Sequence, residues 1–179
     1  VGVGTLASAN VTSNADTYNT AVGFDAGNDI TTGTNNTLIG GLAGDAITTG
    51  GDNVAVGYAS LGVNTTGASN TALGAYALDA NTTAGNNTAV GAGSVGSNTT
   101  GAGNTGIGRV ALTTNTTGND NVALGYRALN LSTTASNNTA IGKDALYANT
   151  TGAGNTALGT SALTTNTTAN ENVAIGRSA

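Results

Sequence analysis

The chain has no cysteine, histidine, methionine, tryptophan or proline in its 179 residues. Each gap removes a class of chemistry. Without cysteine there is no disulfide scaffold, although any redox compartment remains compatible. Without histidine or cysteine, a serine nucleophile lacks its usual base. Only Arg109, Arg127, Lys143 and Arg177 are cationic, against nine carboxylates, for a net charge of −5. That balance opposes nucleic-acid binding, which needs clustered cations to neutralise phosphates. It fits a mildly acidic, solvated surface. No apolar run reaches the roughly 18 residues of a membrane-spanning helix, so no membrane insertion is expected. The chain opens in mid-pattern with "VGVGTLASAN", without a basic or apolar leader. It reads as a processed product or a piece of something longer.

Asn, Thr, Gly and Ala dominate, and they repeat. Asn19, Asn36, Asn53, Asn70, Asn87, Asn104, Asn121, Asn138, Asn155 and Asn172 each open a small apolar run, and every interval is 17 residues. Nine full copies and a partial tenth follow over 19–179, with a divergent coil over 1–18; the copies are numbered 1 to 10 below. The consensus is N-[TV]-A-[VIL]-G-x-x-[AS]-L-x-x-N-T-T-[GA]-x-x. Asn at position 1, an aliphatic at position 4 and Gly at position 5 occur in all ten copies. Thr-Thr at positions 13 and 14 occurs in all nine complete ones. A fixed register of this kind argues against a disordered low-complexity chain.

A 17-residue unit is too short for a helical repeat. Gly, Asn and Thr are poor residues inside a helix. Short apolar pieces punctuated by Gly and Asn read as strands and tight turns. The expected fold is all-β, a parallel β-solenoid with one coil per repeat. Strand one is expected over positions 2–4 and strand two over 12–14. Like residues then stack at about 4.8 Å, so nine coils make a rod of about 43 Å. Stacked Asn at positions 1 and 12 are expected to form amide ladders. Gly at position 5 fits a positive φ or a crowded bend. Asn121, Gly125, Asn138, Gly142, Asn155 and Gly159 sample these two invariant columns.

Copies 1 and 2 carry Gly27 and Gly44 at position 9, where the others carry Leu or Val, and Ile30 and Ile47 at position 12. That is one core position moved within the coil at similar filled volume. Each coil is expected to supply two large aliphatics. Ala at position 3 and an aliphatic at position 4 put apolar groups on both faces of strand one. One face stays wet unless another chain covers it, which favours an oligomer, most simply a trimer of parallel coils. Uncapped coil edges also invite end-to-end stacking.

The segments "NVALG" (121–125), "NTAIG" (138–142) and "NVAIG" (172–176) resemble head repeats of trimeric autotransporter adhesins of the YadA type. A small residue follows a few places on, here Ala128 and Ala145. The longer pattern "NTAIGKDALYANTTGAGNTALG" is similar to repeats of phage-type tail fibres and bacterial surface fibres. The resemblance implies a left-handed β-roll, three chains about one axis, and an extracellular, cell-surface or virion-fibre location. This unit is longer than the usual head repeat of that family.

No catalytic, cofactor-binding or metal-binding residues are expected. The carboxylates Asp16, Asp25, Asp29, Asp45, Asp52, Asp79, Asp120, Asp144 and Glu171 fall at variable positions and read as solvated surface. "GGLAGDAIT" (40–48) is a poor, single match to a calcium-binding nonapeptide, which needs stacked copies. Asn64, Asn81, Asn98, Asn115, Asn149 and Asn166 begin Asn-x-Thr sequons, which also read as ladder residues. Variable positions 6, 7 and 10 hold Phe24, Tyr58, Tyr76, Arg109, Tyr126, Arg127, Lys143, Asp144 and Tyr147, expected to point outward. Three functions follow: a structural fibre segment, a surface- or glycan-binding module using that Tyr/Arg stripe, and ice binding by the Thr-Thr rows. Expected burial of Thr and an irregular flank at position 15 weigh against the third.

Overall fold

A computed structural model of the chain describes residues 17–179. The divergent copy expected over 1–18 lies almost wholly outside the described residues. Ten three-residue strands, from β1 (Thr20–Val22) to β10 (Val173–Ile175), recur at the repeat interval. They form one parallel sheet in strict sequence order. Register is like-on-like: Ala123 pairs with Ala140, and Ile141 with Leu158. The described chain is thus an all-β parallel solenoid with one coil per repeat, with no helix among the described residues.

Only strand one forms. The second strand expected over positions 12–14 is absent among the described residues. Those positions are still bonded between coils: Thr65 N–H donates to Thr82 C=O at 2.8 Å, and Thr116 N–H to Thr133 C=O at 2.8 Å. The Thr hydroxyl at position 13 adds a second bond, as from Thr99 Oγ1 to Thr116 O at 2.9 Å. The hydroxyl bonds beside the backbone, as β-branched Thr readily does. The backbone is too tightly curved there to hold a flat ladder.

The bends need left-handed backbone. Positions 7, 9 and 17 lie at positive φ throughout, including Leu at position 9 with φ of 47° to 54°. A bulky residue in that region costs roughly 1–2 kcal/mol. Here the Leu side chain points into the coil and is fully buried, as at Leu78, Leu112 and Leu146. Burial of about 1.5–3 kcal/mol offsets the strain. Position 5 is different. Gly57 sits at φ 135°, and a Cβ there would meet the Gly74 carbonyl carbon of the next coil at 2.6 Å. No side chain fits, so Gly is obligatory in that column.

The interior is narrow. Positions 1, 3, 8, 9, 12 and 15 face inward. Position 4 does not: Leu73, Leu124 and Leu158 are 45%, 42% and 43% exposed. The expectation of two large aliphatics inside each coil is therefore corrected to one in every coil but the second, where Leu38 and Ile47 are both buried. The inward residue of strand one is Ala at position 3, because Leu at position 9 already fills the facing space. Copy 2 shows the same limit. A Cβ on Gly44 would lie 2.8 Å from both Ile47 Cδ1 and Leu38 Cδ2, so Ile and Leu from other positions occupy the Leu site.

Candidate functional surfaces

Two amide ladders run up the interior. At position 1, Asn138 N–H and Nδ2 both donate to Asn121 Oδ1, at 3.1 and 3.2 Å. Asn155 repeats this on Asn138, at 2.9 and 3.1 Å. At position 12, Asn81 Nδ2 donates to Asn64 Oδ1 at 2.9 Å, and Asn98 Nδ2 to Asn81 Oδ1 at 3.0 Å. Both ladders converge on the position 15 carbonyl: Gly118 O accepts from Asn104 Nδ2 at 2.8 Å and Asn115 Nδ2 at 3.0 Å. The amide nitrogens of Asn64, Asn81, Asn98, Asn115 and Asn149 are consumed here and their residues fully buried, which leaves no room for a glycan. The position 12 ladder breaks at Ser132, whose buried hydroxyl has no hydrogen-bond partner.

Three outward surfaces remain. The first is the open face of the sheet. Its position 4 column is an unbroken stack of Val, Ile and Leu, flanked by Thr or Val at position 2. Parallel sheets are ordinarily covered on both faces. The second is position 14, where Thr32, Thr49, Thr66, Thr83, Thr100, Thr117, Thr134, Thr151 and Thr168 are all exposed. Thr burial, expected from the sequence, is limited to the partly buried position 13. Position 15 faces inward and does not flank the Thr row on the surface.

The third surface carries the aromatic and charged residues. Phe24, Tyr58 and Tyr76 are half exposed, and the two tyrosines meet edge to face at 5.5 Å. Further along, Arg127 lies 5.1 Å from the Tyr126 ring centroid and 4.9 Å from that of Tyr147. Arg109 lies 6.0 Å from the Tyr126 ring. Arg127 Nε also bonds Asp144 Oδ1 at 2.7 Å, and Lys143 Nζ bonds Asp144 Oδ2 at 2.6 Å. Asp144 stays on this outward face but is only 7% exposed, because these two cations cover it. The Arg127 hydrogen bond holds its carboxyl below the usual carboxylate range, against the opposing effect of burial. Arg127 is held correspondingly further above its ordinary value. The stripe therefore splits into an N-terminal aromatic pair and a C-terminal cation–aromatic cluster.

Between Tyr76 and Val63 the surface dips into a groove of about 220 Å³, flanked by Asp45 and Asp79 with Gly62 between them. Burial pushes both carboxyls up from their ordinary value, with backbone hydrogen bonds opposing. The Asp-Gly-Asp order at position 10 is the one trace of this groove in the sequence. Among the described residues, no three acidic groups converge as metal ligands, and no helix is long and apolar enough to cross a membrane.

These features define a β-solenoid repeat protein. The chain matches no family model, no curated protein and no solved structure.

Proposed function

We propose that the chain is a structural segment of an extracellular fibre, a shaft or adhesin head, whose rods associate through the open face of the sheet. The carrying observation is the position 4 column, an aliphatic stripe repeated in every coil, exposed in seven of the ten and half-buried at Val56, Val90 and Ile141. Exposed apolar patches of this length mark interaction surfaces. Stacked Leu, Ile and Val at about 4.8 Å give a second rod a matching set of ridges. Three parallel rods about one axis cover all three stripes at once. The likeness of the repeats to adhesin heads and tail fibres supports both the trimer and a location at a cell or virion surface.

Native mass measurement and electron microscopy of the intact chain test this. Rods heavier than one chain are expected. Leu124→Ser with Ile141→Ser is expected to remove this association, leaving single chains at high salt, with unchanged circular dichroism. A single-chain mass at all concentrations, the same for both proteins, overturns the reading.

The position 14 Thr row supports a second reading, ordering of water at an ice surface. Each Thr offers a hydroxyl and a methyl on a rigid backbone, repeated at about 4.8 Å. Thermal hysteresis that disappears in Thr83→Lys with Thr100→Lys marks this function; its absence in the parent chain removes it.

A further inference from the structure

The aromatic and charged face is ordered along the rod. In coils 1–4 it carries Asp25, Asp29, Asp45 and Asp79, and no cation. In coils 6–10 it carries all four cations of the chain; Asp144 is its only carboxylate there, already bonded to two of them. Between the halves, coil 5 is small: Ala92, Gly93 and Gly96. We propose that this face binds the same face of a second copy running antiparallel, about a twofold axis crossing the rod between coils 5 and 6.

Such an axis lies in the contact plane, perpendicular to the rod. It sets coil n against coil 11 − n and each position against itself, as any isologous interface must. The resulting pairs are complementary. At position 6, Phe24 meets Arg177 and Tyr58 meets Lys143, a cation on a ring in both cases. Also at position 6, Ala75 faces Tyr126 and Ala92 faces Arg109, small against large. At position 7, Tyr76 meets Arg127. Asp25 comes beside Arg177, and Asp79 beside Arg127. At position 10, Gly62 meets Tyr147. Gly62 floors the groove described above, so the Tyr147 ring of the second copy enters it, its hydroxyl donating to Asp45 or Asp79. Every pair occurs twice.

Other arrangements fit less well. A parallel, in-register pair sets Arg109 on Arg109 and Asp79 on Asp79. A parallel pair staggered by half the rod also sets acid against base, but covers half the face and continues as an open chain. The antiparallel pair covers the whole face, about 43 Å long by strand spacing. At that length a width of about 19 Å reaches the roughly 800 Å² per partner of a standard interface. The aliphatic stripe takes no part, so this pairing stands whether or not the rods form a fibre.

Sedimentation at low and high salt of the Leu124→Ser, Ile141→Ser chain, whose open sheet face no longer associates, is the first test. A closed dimer at low salt that weakens about tenfold or more at high salt is expected, since exposed charges are screened. Asp25→Lys with Asp45→Lys makes the face predominantly basic; Lys143→Glu with Arg177→Glu makes it mostly acidic. Each variant alone is expected to lose the dimer with its circular dichroism intact, and an equimolar mixture to restore it as a heterodimer. For orientation, Thr49→Cys offers one exposed labelling site in a chain without cysteine. Antiparallel pairing places the two spin labels seven coils apart, about 34 Å along the rod. A chain that is a monomer at low salt overturns the proposal, as do labels side by side or sizes that grow past the dimer. With the stripe already disabled, association that survives both charge reversals overturns the proposal and leaves the fibre reading to its own test.

Discussion

Replacing Ser132 with Asn is expected to stabilise the rod. Ser132 interrupts the position 12 ladder, and its buried hydroxyl bonds nothing. The intact ladder shows what an amide side chain at this position would make. Asn81 donates to Asn64 Oδ1 at 2.9 Å and to Ala84 O at 2.9 Å, and accepts from Asn98 Nδ2 at 3.0 Å. Coil 4 also shows that an Asn fits above an Ala at position 15, the arrangement Ser132→Asn would create with Ala135. Three added bonds contribute about 1.5–4.5 kcal/mol, at about 0.5–1.5 each. Removing an unsatisfied hydroxyl contributes about 1 kcal/mol more. Ordering the longer side chain costs about 1 kcal/mol. The net gain is about 1.5–4.5 kcal/mol, a rise of roughly 3–18 °C in Tm at this chain length. Asn81→Ser should lose a similar amount by making a second break. Calorimetry with urea titration reads both. If Ser132→Asn is neutral or destabilising while Asn81→Ser costs little, the ladder is not what holds the coils together.

Three further outcomes follow from the packing and electrostatics. Leu61→Gly should destabilise by about 2–5 kcal/mol, the cost of emptying a buried Leu site. Adding Asn64→Ile, which copies coils 1 and 2, should recover part of it, and a double-mutant cycle in urea measures the non-additivity. Gly74→Ala would drive a Cβ to 2.7 Å from the Gly91 carbonyl carbon, so loss of the folded far-ultraviolet spectrum or a drop of many degrees in Tm is expected; Ala accepted at no cost would contradict the crowding. The Asp79 carboxyl is pushed up by burial, so its charge disfavours the fold above about pH 4 and not below it. Asp79→Asn should therefore be neutral to stabilising at pH 7, with the difference vanishing in acid. Asp144 is pulled down and acts in the opposite sense: its contribution is present at neutral pH and fades as pH falls through its lowered value. Asp144→Asn should thus cost stability at pH 7 and little in acid.

The repeat spacing alone made the coil, its register and its two amide columns legible, because the strand pairing and both ladders join a residue to its own counterpart. The crowding at position 5 was legible for the same reason. The orientation of strand one was not. Ala at position 3 and Leu at position 4 are both apolar, and the larger one invites an inward reading. What decides is the width of the interior, already filled from across by Leu at position 9, and no local pattern encodes that width. The left-handed backbone at Leu78 or Leu112 was hidden too, since the residue itself disfavours it and only burial outweighs the strain. Asp144 is covered because Arg127 arrives from the preceding coil, a contact visible only once the coils are stacked. The groove at Gly62 arises from a missing side chain between two present ones.

Because each coil meets only its neighbours, through the same columns of Asn, Leu and Gly, no layer holds a place that another could not fill. A gene that duplicates or drops the codons of one repeat lengthens or shortens the object by one step of about 4.8 Å without inventing a contact. Reach, in such a molecule, is set by counting.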